Sequence, residues 1–493
     1  MFVGTSSDVG KSVITAGFCR IFKQDGYAPA PFKAQNMSLN SYATPEGLEI
    51  GRAQAVQAEA AGIPCHTDMN PVLLKPTTDK TSQVILNGKS IGNQTAKEYF
   101  MSGDRSVLFE EVKLAYNRLA SRYHPIVMEG AGSISELNLK ARDITNMRMA
   151  IAAGAATYLI TDIDRGGIFA SLYGTMQLLE PAEKACIKGI IINKFRGDAA
   201  LFREGKKIIE ELCGVPVIGI LPYFRDIHIE EEDAVSLQQK RRNAVPGKVN
   251  IAVVLLGRMS NFTDFDRLDK DRRLNVYYTA TEEGIAEADI IILPGSKNTI
   301  EDLIDLRNKG LAAAIIQAHQ NGKTVIGICG GYQMMGEMIA DPLQVESAMG
   351  AIAGLGILPV KTVLLADKTT RQCNFTYRDF PELCKGYEIH MGETSIATHA
   401  PGSDQVAHGQ STHTAVLSEG QNDGYYLSEK CWGSYLHGIL DNPVVINDLV
   451  APYTNEKVET EDYQSFRDEQ YDKLADLLRA NLDIDQVYQH LKD

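Results

Sequence analysis

The sequence predicts an α/β protein: two doubly wound, mostly parallel-sheet domains followed by a helical C-terminal tail. Three observations predict it. Short apolar runs ending in glycine turns or polar residues alternate with helical stretches, the pattern of strand–helix units laid into a parallel sheet. The pattern starts afresh after a charged, irregular stretch at 226–248. At 493 residues the chain is also too long for one ordinary core. The division expected is 1–225, a linker at 226–248, a second domain at 249–445 and a tail at 446–493.

Composition narrows the class. A hydrophobic share of 44% and a charged share of 23% are those of a soluble globular protein. The net charge of −14 argues against a general nucleic-acid binder, which needs a basic face. Neither a membrane-length apolar run nor a charged-then-apolar leader is seen, so no membrane partner and a cytoplasmic location are expected. Eight cysteines stand singly, with no Cys-x-x-Cys pair, which suits a reducing compartment. Only Met1 to Val3 precede Gly4, a short strand to feed a glycine loop, and this leaves open whether Met1 is the natural start.

Gly4-Thr5-Ser6-Ser7-Asp8-Val9-Gly10-Lys11-Ser12 opens the first domain, with the helical run Val13–Phe22 behind it. Glycines let backbone N–H groups close around phosphate oxygens, and the helix N-terminus adds partial positive charge. Thr5, Ser6, Gly10, Lys11 and Ser12 are therefore candidate nucleotide-binding residues, with Ser12 a ligand for Mg²⁺. Next come a short strand at Ala28–Lys33, a polar loop at Ala34–Ser41, an alanine-rich helix at Gly51–Ala61 and the Met69–Pro76 segment. Pro125–Ser133 is a buried strand with Glu129 at its C-terminal end, before a glycine turn. That carboxylate is placed to be the Mg²⁺ partner, directly or through water, or else to cap a helix. Ala156–Gly167 and Gly189–Asp198 repeat the logic, Asn193 being a candidate to pair with an adenine edge, and Val215–Pro222 closes the domain. The acidic run Glu230–Asp233 and the basic run Lys240–Arg242 mark a solvated linker.

The second domain begins at Val249–Leu255, continues through a strand at Asp289–Leu293 and a helix at Glu301–His319, and reaches Gly327-Ile328-Cys329-Gly330-Gly331. Gly-x-Cys-x-Gly puts a cysteine on a sharp strand-to-helix turn, where the helix N-terminus lowers the thiol pKa. Cys329 is the candidate nucleophile, with an oxyanion hole from the N–H groups of Gly330 and the Gly295 turn. Of the downstream histidines, His437 leaves a strand end and is the chosen base, with His390 the runner-up. His399, His408 and His413 fall in a polar stretch and His490 in the tail.

Five residues rather than four separate Gly4 from Gly10, and the loop then resembles that of dethiobiotin synthetases, in which ATP activates a carboxylate. Partition-type ATPases carry a second lysine five positions before the catalytic one. Here that position is Ser6, which disfavours such a motor. The second half resembles class I glutamine amidotransferases, with Cys329 and His437 on their nucleophile and base. Most members have a glutamate two residues after the histidine. Ile439 stands here, which matches the cobyrinate-amidating branch and leaves the partner of His437 open. From the first loop to about residue 445 the chain resembles the cobyric acid synthase family. Lys33–Ser41, Gly51–Gln54, Met69–Pro71, Asp162–Gly167, Ile192–Asp198 and Gly386–His390 carry the likeness most specifically.

The resemblance implies a P-loop NTPase-like fold, then a flavodoxin-like amidotransferase. It implies amidation of the b, d, e and g carboxylates of adenosylcobyrinic acid a,c-diamide, consuming ATP, with Mg²⁺, and glutamine. The partners are these small molecules, with homo-oligomerisation open. Lys33, Gln35, Asn36, Asn40, Arg52, Asp164, Tyr387 and His390 become substrate-side candidates. The Lys33–Ser41 segment argues against the sister a,c-diamide synthase, and the missing glutamate against CTP synthase. A non-catalytic nucleotide switch is disfavoured by the intact Lys11, Ser12, Glu129, Cys329 and His437.

Overall fold

The structure is a computed structural model that describes residues 1–77, 80–95, 105–230, 243–397, 412–456 and 463–491. In its first half, strand β1 (Phe2–Gly4) runs into the loop that starts helix α1 (Lys11–Gln24). Strand β2 (Ala30–Phe32) and helix α2 (Arg52–Ala61) follow, then strands β3 (Ile126–Met128), β4 (Thr157–Asp162), β5 (Ile187–Phe195) and β6 (Val217–Pro222). The strands lie parallel in the order β2–β3–β1–β4–β5–β6; β1 meets β3 through a bridge between Phe2 and Glu129.

Burial of both faces explains why these strands read as unbroken apolar runs. Val3, Leu159, Ile190 and Ile192 point into one core, while Phe2, Tyr158, Ile160 and Ile191 pack with Phe18 and Ile21 of α1 in another. An antiparallel hairpin, Val72–Pro76 with Thr81–Leu86, projects from this half.

In the second half, β7 (Val249–Val254), β8 (Leu274–Thr279), β9 (Ile290–Leu293) and β10 (Thr324–Ile328) precede helix α3 (Gly330–Met335). The long strands β11 (Val360–Tyr377) and β12 (Leu383–Ile396) pair antiparallel, and β13 (Tyr425–Ser428) and β14 (Cys431–Ser434) complete the set. The sheet order is β8–β7–β9–β10–β14–β13, parallel except for the final antiparallel pair. Both halves are thus parallel α/β sheets, as the periodicity predicts.

Local differences have local causes. The single helix expected at Glu301–His319 is two, Thr299–Asn308 and Leu311–Gln320. Gly310 breaks it with φ of 77°, where a Cβ would meet the Glu282 carboxylate at 2.2 Å. Within the expected solvated linker, Glu230 is instead largely buried, because Arg52 grips it with two bonds of 2.6 and 2.9 Å. Residues 231–242 lie outside the described residues, as do His399 and His408. The tail helix α4 (Tyr463–Asn481) folds back onto the first half, burying Leu474 and Leu478 beside Phe18 and Ile21. No helix among the described residues is long and apolar enough to cross a membrane.

Candidate active site

Two centres emerge, one at the start of α1 and one at the start of α3. At the first, Gly10 takes φ of 97°, and a Cβ there would lie 2.2 Å from Asn193 Nδ2. Asn193 Nδ2 donates to Val9 O at 2.8 Å and Oδ1 accepts from Lys194 N at 2.8 Å. The residue expected at an adenine edge thus braces the loop from β5. Thr5 Oγ1 bonds Thr161 Oγ1 at 3.2 Å, and Lys11 Nζ donates to Ser6 O and Gly132 O, each at 3.0 Å.

Glu129, only 1% exposed, collects three side chains from separate elements. Ser12 Oγ and Lys33 Nζ donate to its Oε1 at 2.8 and 2.9 Å, and Gln57 Nε2 to its Oε2 at 2.6 Å. Burial alone pushes the carboxyl up, but the Lys33 charge and these hydrogen bonds hold it below the usual range, so it is ionised. Ser12 and Glu129 therefore set two hard oxygen donors side by side, a fit for Mg²⁺, which takes one or two protein oxygens and fills its remaining positions with phosphate and water. A cavity of about 510 Å³ opens here, lined by Lys11, Ser12, Lys33, Asn36 and Glu129.

At the second centre, Cys329 sits at φ 51°, ψ −110°, a strained backbone for a non-glycine residue. The flanking glycines allow it. A Cβ at Gly331 would lie 1.9 Å from Leu293 O, and one at Gly327 would lie 2.6 Å from Tyr332 N. The Gly295–Ser296 turn is against this elbow: a Cβ on Gly330 would meet Ser296 N at 2.8 Å, and one on Gly295 would meet His437 Cε1 at 3.2 Å. The residues expected as nucleophile, base and oxyanion donors are therefore in one place.

His437, 1% exposed, has its partner in Asp264: Nδ1 bonds Asp264 Oδ2 at 2.7 Å, while Gly438 N donates to Asp264 Oδ1 at 3.0 Å. Asp264 comes from the 3₁₀ turn Phe262–Phe265, after β7. Burial works against the imidazolium, but the charge and hydrogen bond of Asp264, then Cys329, push His437 up to about 10. Tyr387 of β12 exchanges backbone bonds with His437 and stacks on its ring, centroids 5.3 Å apart. His390 instead stacks on Tyr435 at 3.9 Å with Nδ1 against Gly392 O at 2.9 Å, and lines the Cys329 cavity.

The remaining candidates disperse. Lys33 and Asn36 face the cavity beside Lys11 and Ser12, and Asn36 Nδ2 donates to Gln54 Oε1 at 3.1 Å. Gln35 is half-buried on the short strand Gln35–Met37. Asn40 reaches the other half, its Oδ1 accepting Phe262 N at 3.1 Å. Arg52, stacked over Tyr42 at 4.6 Å, and Tyr387 line a cavity of about 640 Å³ between the halves. Asp164, just past the end of β4, pairs with Arg196 at 2.5 and 3.0 Å and lines a cavity of about 950 Å³ together with Gly10 and Asn193. Sequence reasoning missed Asp264: its one signal is an acid between two phenylalanines, Phe262 and Phe265, and nothing local ties it to a histidine 173 positions on.

Comparison with known proteins finds a matching domain type for each half. Residues 1–237 match the CobQ/CobB/MinD/ParA nucleotide binding domain, and residues 250–445 the CobB/CobQ-like glutamine amidotransferase domain. A cobyric acid synthase of Parabacteroides distasonis is 59% identical, covering 100% of this chain and 98% of its own length. That of Phocaeicola vulgatus is 58% identical over 99% and 97%, and that of Bacteroides fragilis 57% over 100% and 98%. With full-length relatives at this identity and both domain types in order, the chain belongs to the cobyric acid synthase family.

Proposed function

We propose that the chain amidates the b, d, e and g carboxylates of adenosylcobyrinic acid a,c-diamide, with ATP activating each carboxylate and glutamine supplying the nitrogen. The observation that carries this reading is the Cys329–His437–Asp264 arrangement standing in one chain with a phosphate loop whose Ser12 touches Glu129. Residues 1–225 form the synthetase half and 249–445 the amidotransferase half in this reading.

In the first half Lys11 and the N-terminus of α1 receive the phosphates, and Lys11 offsets charge developing on the transferred phosphoryl group. Mg²⁺, when held by Ser12 and Glu129, neutralises further phosphate charge. A corrinoid carboxylate oxygen takes the γ-phosphoryl group, giving an acyl phosphate and ADP. In the second half the Cys329 thiolate adds to the glutamine amide carbon, while N–H groups of Gly330 and the Gly295 turn take the oxyanion. The C–N bond breaks as His437 gives its proton to the departing nitrogen, and Asp264 holds the imidazolium that made this possible. Water then cleaves the thioester to glutamate. Ammonia attacks the acyl phosphate and expels phosphate, leaving the amide.

Mass spectrometry of adenosylcobyrinic acid a,c-diamide incubated with enzyme, MgATP and glutamine tests this. One mass decrement for each of the four carboxylates is expected. In Cys329→Ala the decrements should vanish with glutamine and persist with ammonia. No change here, with two decrements on cobyrinic acid itself, would move the assignment to an a,c-diamide synthase.

A further inference from the structure

Two cavities meet at the start of α1. The one beside Lys11 and Ser12 shares Gly10, Val13, Lys194, Ile229 and Glu230 with the larger one of about 950 Å³. With phosphates seated on the loop, the larger space, of a size usual for small-molecule sites, has room for the nucleoside. Asn193 lines it from β5, with its amide bracing the loop.

Other walls come from outside residues 1–237, the extent of the matched nucleotide binding domain. Asp266, Asp269 and Lys270 belong to the second half, on the short helix Asp266–Lys270 just past Asp264. Tyr463, Phe466 and Arg467 come from α4, which lies beyond both matched domains. Leu474 and Leu478 of the same helix also reach the cavity, and their packing against α1 fixes the helix in place. The loop after β6 is held between these outside parts. The His228 ring stacks with that of Phe466, centroids 6.4 Å apart and planes 25° from parallel. Its Nδ1 accepts from Lys270 Nζ at 2.7 Å, and its backbone N–H donates to Gln470 Oε1 at 3.1 Å. Arg267 of the second half and Arg467 of the tail both lie over the Tyr463 ring, at 5.2 and 5.1 Å. First half, second half and tail thus share one rim.

We propose that the nucleoside of ATP is bound by all three: Phe466 of the tail offers its ring to the base, and the Asp266–Asp269 carboxylates of the second half accept from the ribose hydroxyls, while the phosphates stay with α1. The ligand class is a nucleoside triphosphate with an intact ribose diol. An aromatic face suits the flat base, and carboxylates suit a vicinal diol, which brings two O–H donors. The inference rests on the reading that ATP is bound at the phosphate loop. It gives the C-terminal tail, which neither domain match covers, a part in that site.

Calorimetric titration of the full chain with ATP, 2′,3′-dideoxy-ATP and inorganic tripolyphosphate, each with Mg²⁺, separates the contributions. The unaltered enzyme should bind ATP roughly 100-fold tighter than tripolyphosphate and roughly tenfold tighter than the dideoxy analogue. Phe466→Ala should weaken ATP by roughly 5- to 100-fold and leave tripolyphosphate unchanged, a contrast that a merely structural role for the ring does not give. Phe466→Leu, which keeps apolar bulk, should move in the same direction. Asp266→Asn or Asp269→Asn should narrow the preference for ATP over the dideoxy analogue. Thermal melts without ligand report that each variant is folded. Equal binding of ATP and tripolyphosphate by the unaltered enzyme overturns the proposal, as does an unchanged ATP Kd, or a parallel loss of both ligands, in Phe466→Ala. A preference over the dideoxy analogue that survives both Asn variants overturns the share given to the second half. If neither ATP nor tripolyphosphate binds the unaltered enzyme, it is the wider functional reading that fails.

Discussion

A buried imidazole with one ring nitrogen bonded to a carboxylate has its tautomer and orientation set, and the other nitrogen is left for the reaction. Asp264 does this for His437 at 2.7 Å, with its second oxygen occupied by Gly438 N. Asp264→Asn keeps the shape but not the charge. Glutamine-dependent turnover is expected to fall by roughly 10²- to 10⁴-fold, while ammonia-dependent amidation continues. The pH dependence follows from the direction of the shift. His437 is raised from 6.5 to about 10, so its contribution to stability is fully present below pH 6.5 and lost as pH rises through about 10. Melting temperatures should show the advantage of the unaltered protein over Asp264→Asn shrinking across that window. An advantage that grows there would contradict the assignment.

Glu129 poses the opposite problem, a buried anion with a buried cation on it. Lys33 is 5% exposed, so Glu129→Gln removes a buried counter-charge at 2.9 Å from its ammonium, at a cost of about 3–5 kcal/mol in unfolding free energy. Adding Lys33→Met should recover much of that stability without restoring ATP-dependent amidation. Denaturant melts of the two single variants and the double variant measure this. If Glu129→Gln alone is as stable as the parent, the Lys33–Glu129 pair does not support the fold.

At the scale of elements, the local patterns were readable because they depend on neighbours in sequence. The Gly10–Lys11–Ser12 turn, the strand before Glu129 and the Cys329 elbow each consist of a few adjacent residues whose backbone needs are visible in their types. The α4 tail shows the limit. Its charge pattern marks a helix, but which surface it covers depends on distant groups. Leu474 and Leu478 enter the core of α1 where Gly17 leaves room, a Cβ there lying 2.3 Å from Leu478 Cδ1. Arg20 pairs with Asp468 and Asp472 beside them. Leu478→Ala is expected to cost about 2–5 kcal/mol, read as a lower denaturation midpoint at constant m-value. A loss under 1 kcal/mol would mean the helix packs there without supporting the core.

At the scale of the molecule, the segment from Lys33 to Ser41 joins the two centres. Lys33 grips Glu129 at one end; at the other, Asn40 accepts Phe262 N and Ser41 N donates to Asn261 Oδ1, both at 3.1 Å. Asp264 follows two residues after Phe262. Asn40→Ala leaves the buried Phe262 N–H without that acceptor, so the turn carrying Asp264 should loosen. The expected result is a glutaminase kcat lower by roughly tenfold, with ammonia-dependent amidation kept, which corresponds to about one lost hydrogen bond. Unchanged glutamine turnover would show that the Asp264 turn is held by its own half.

Residue types and short spacings were enough to specify both parallel sheets, the phosphate loop, the cysteine elbow and the family likeness, because backbone strain, strand burial and helix starts are decided within a few positions. They could not specify the partner of His437, the burial of Glu230 against Arg52, or the pairing of Glu49 with Lys368. Those contacts join residues 173, 178 and 319 positions apart. Ionic and hydrogen-bonding partners are set by which surfaces the packed halves bring together, and a charged side chain carries no local mark of the distant group that will neutralise it.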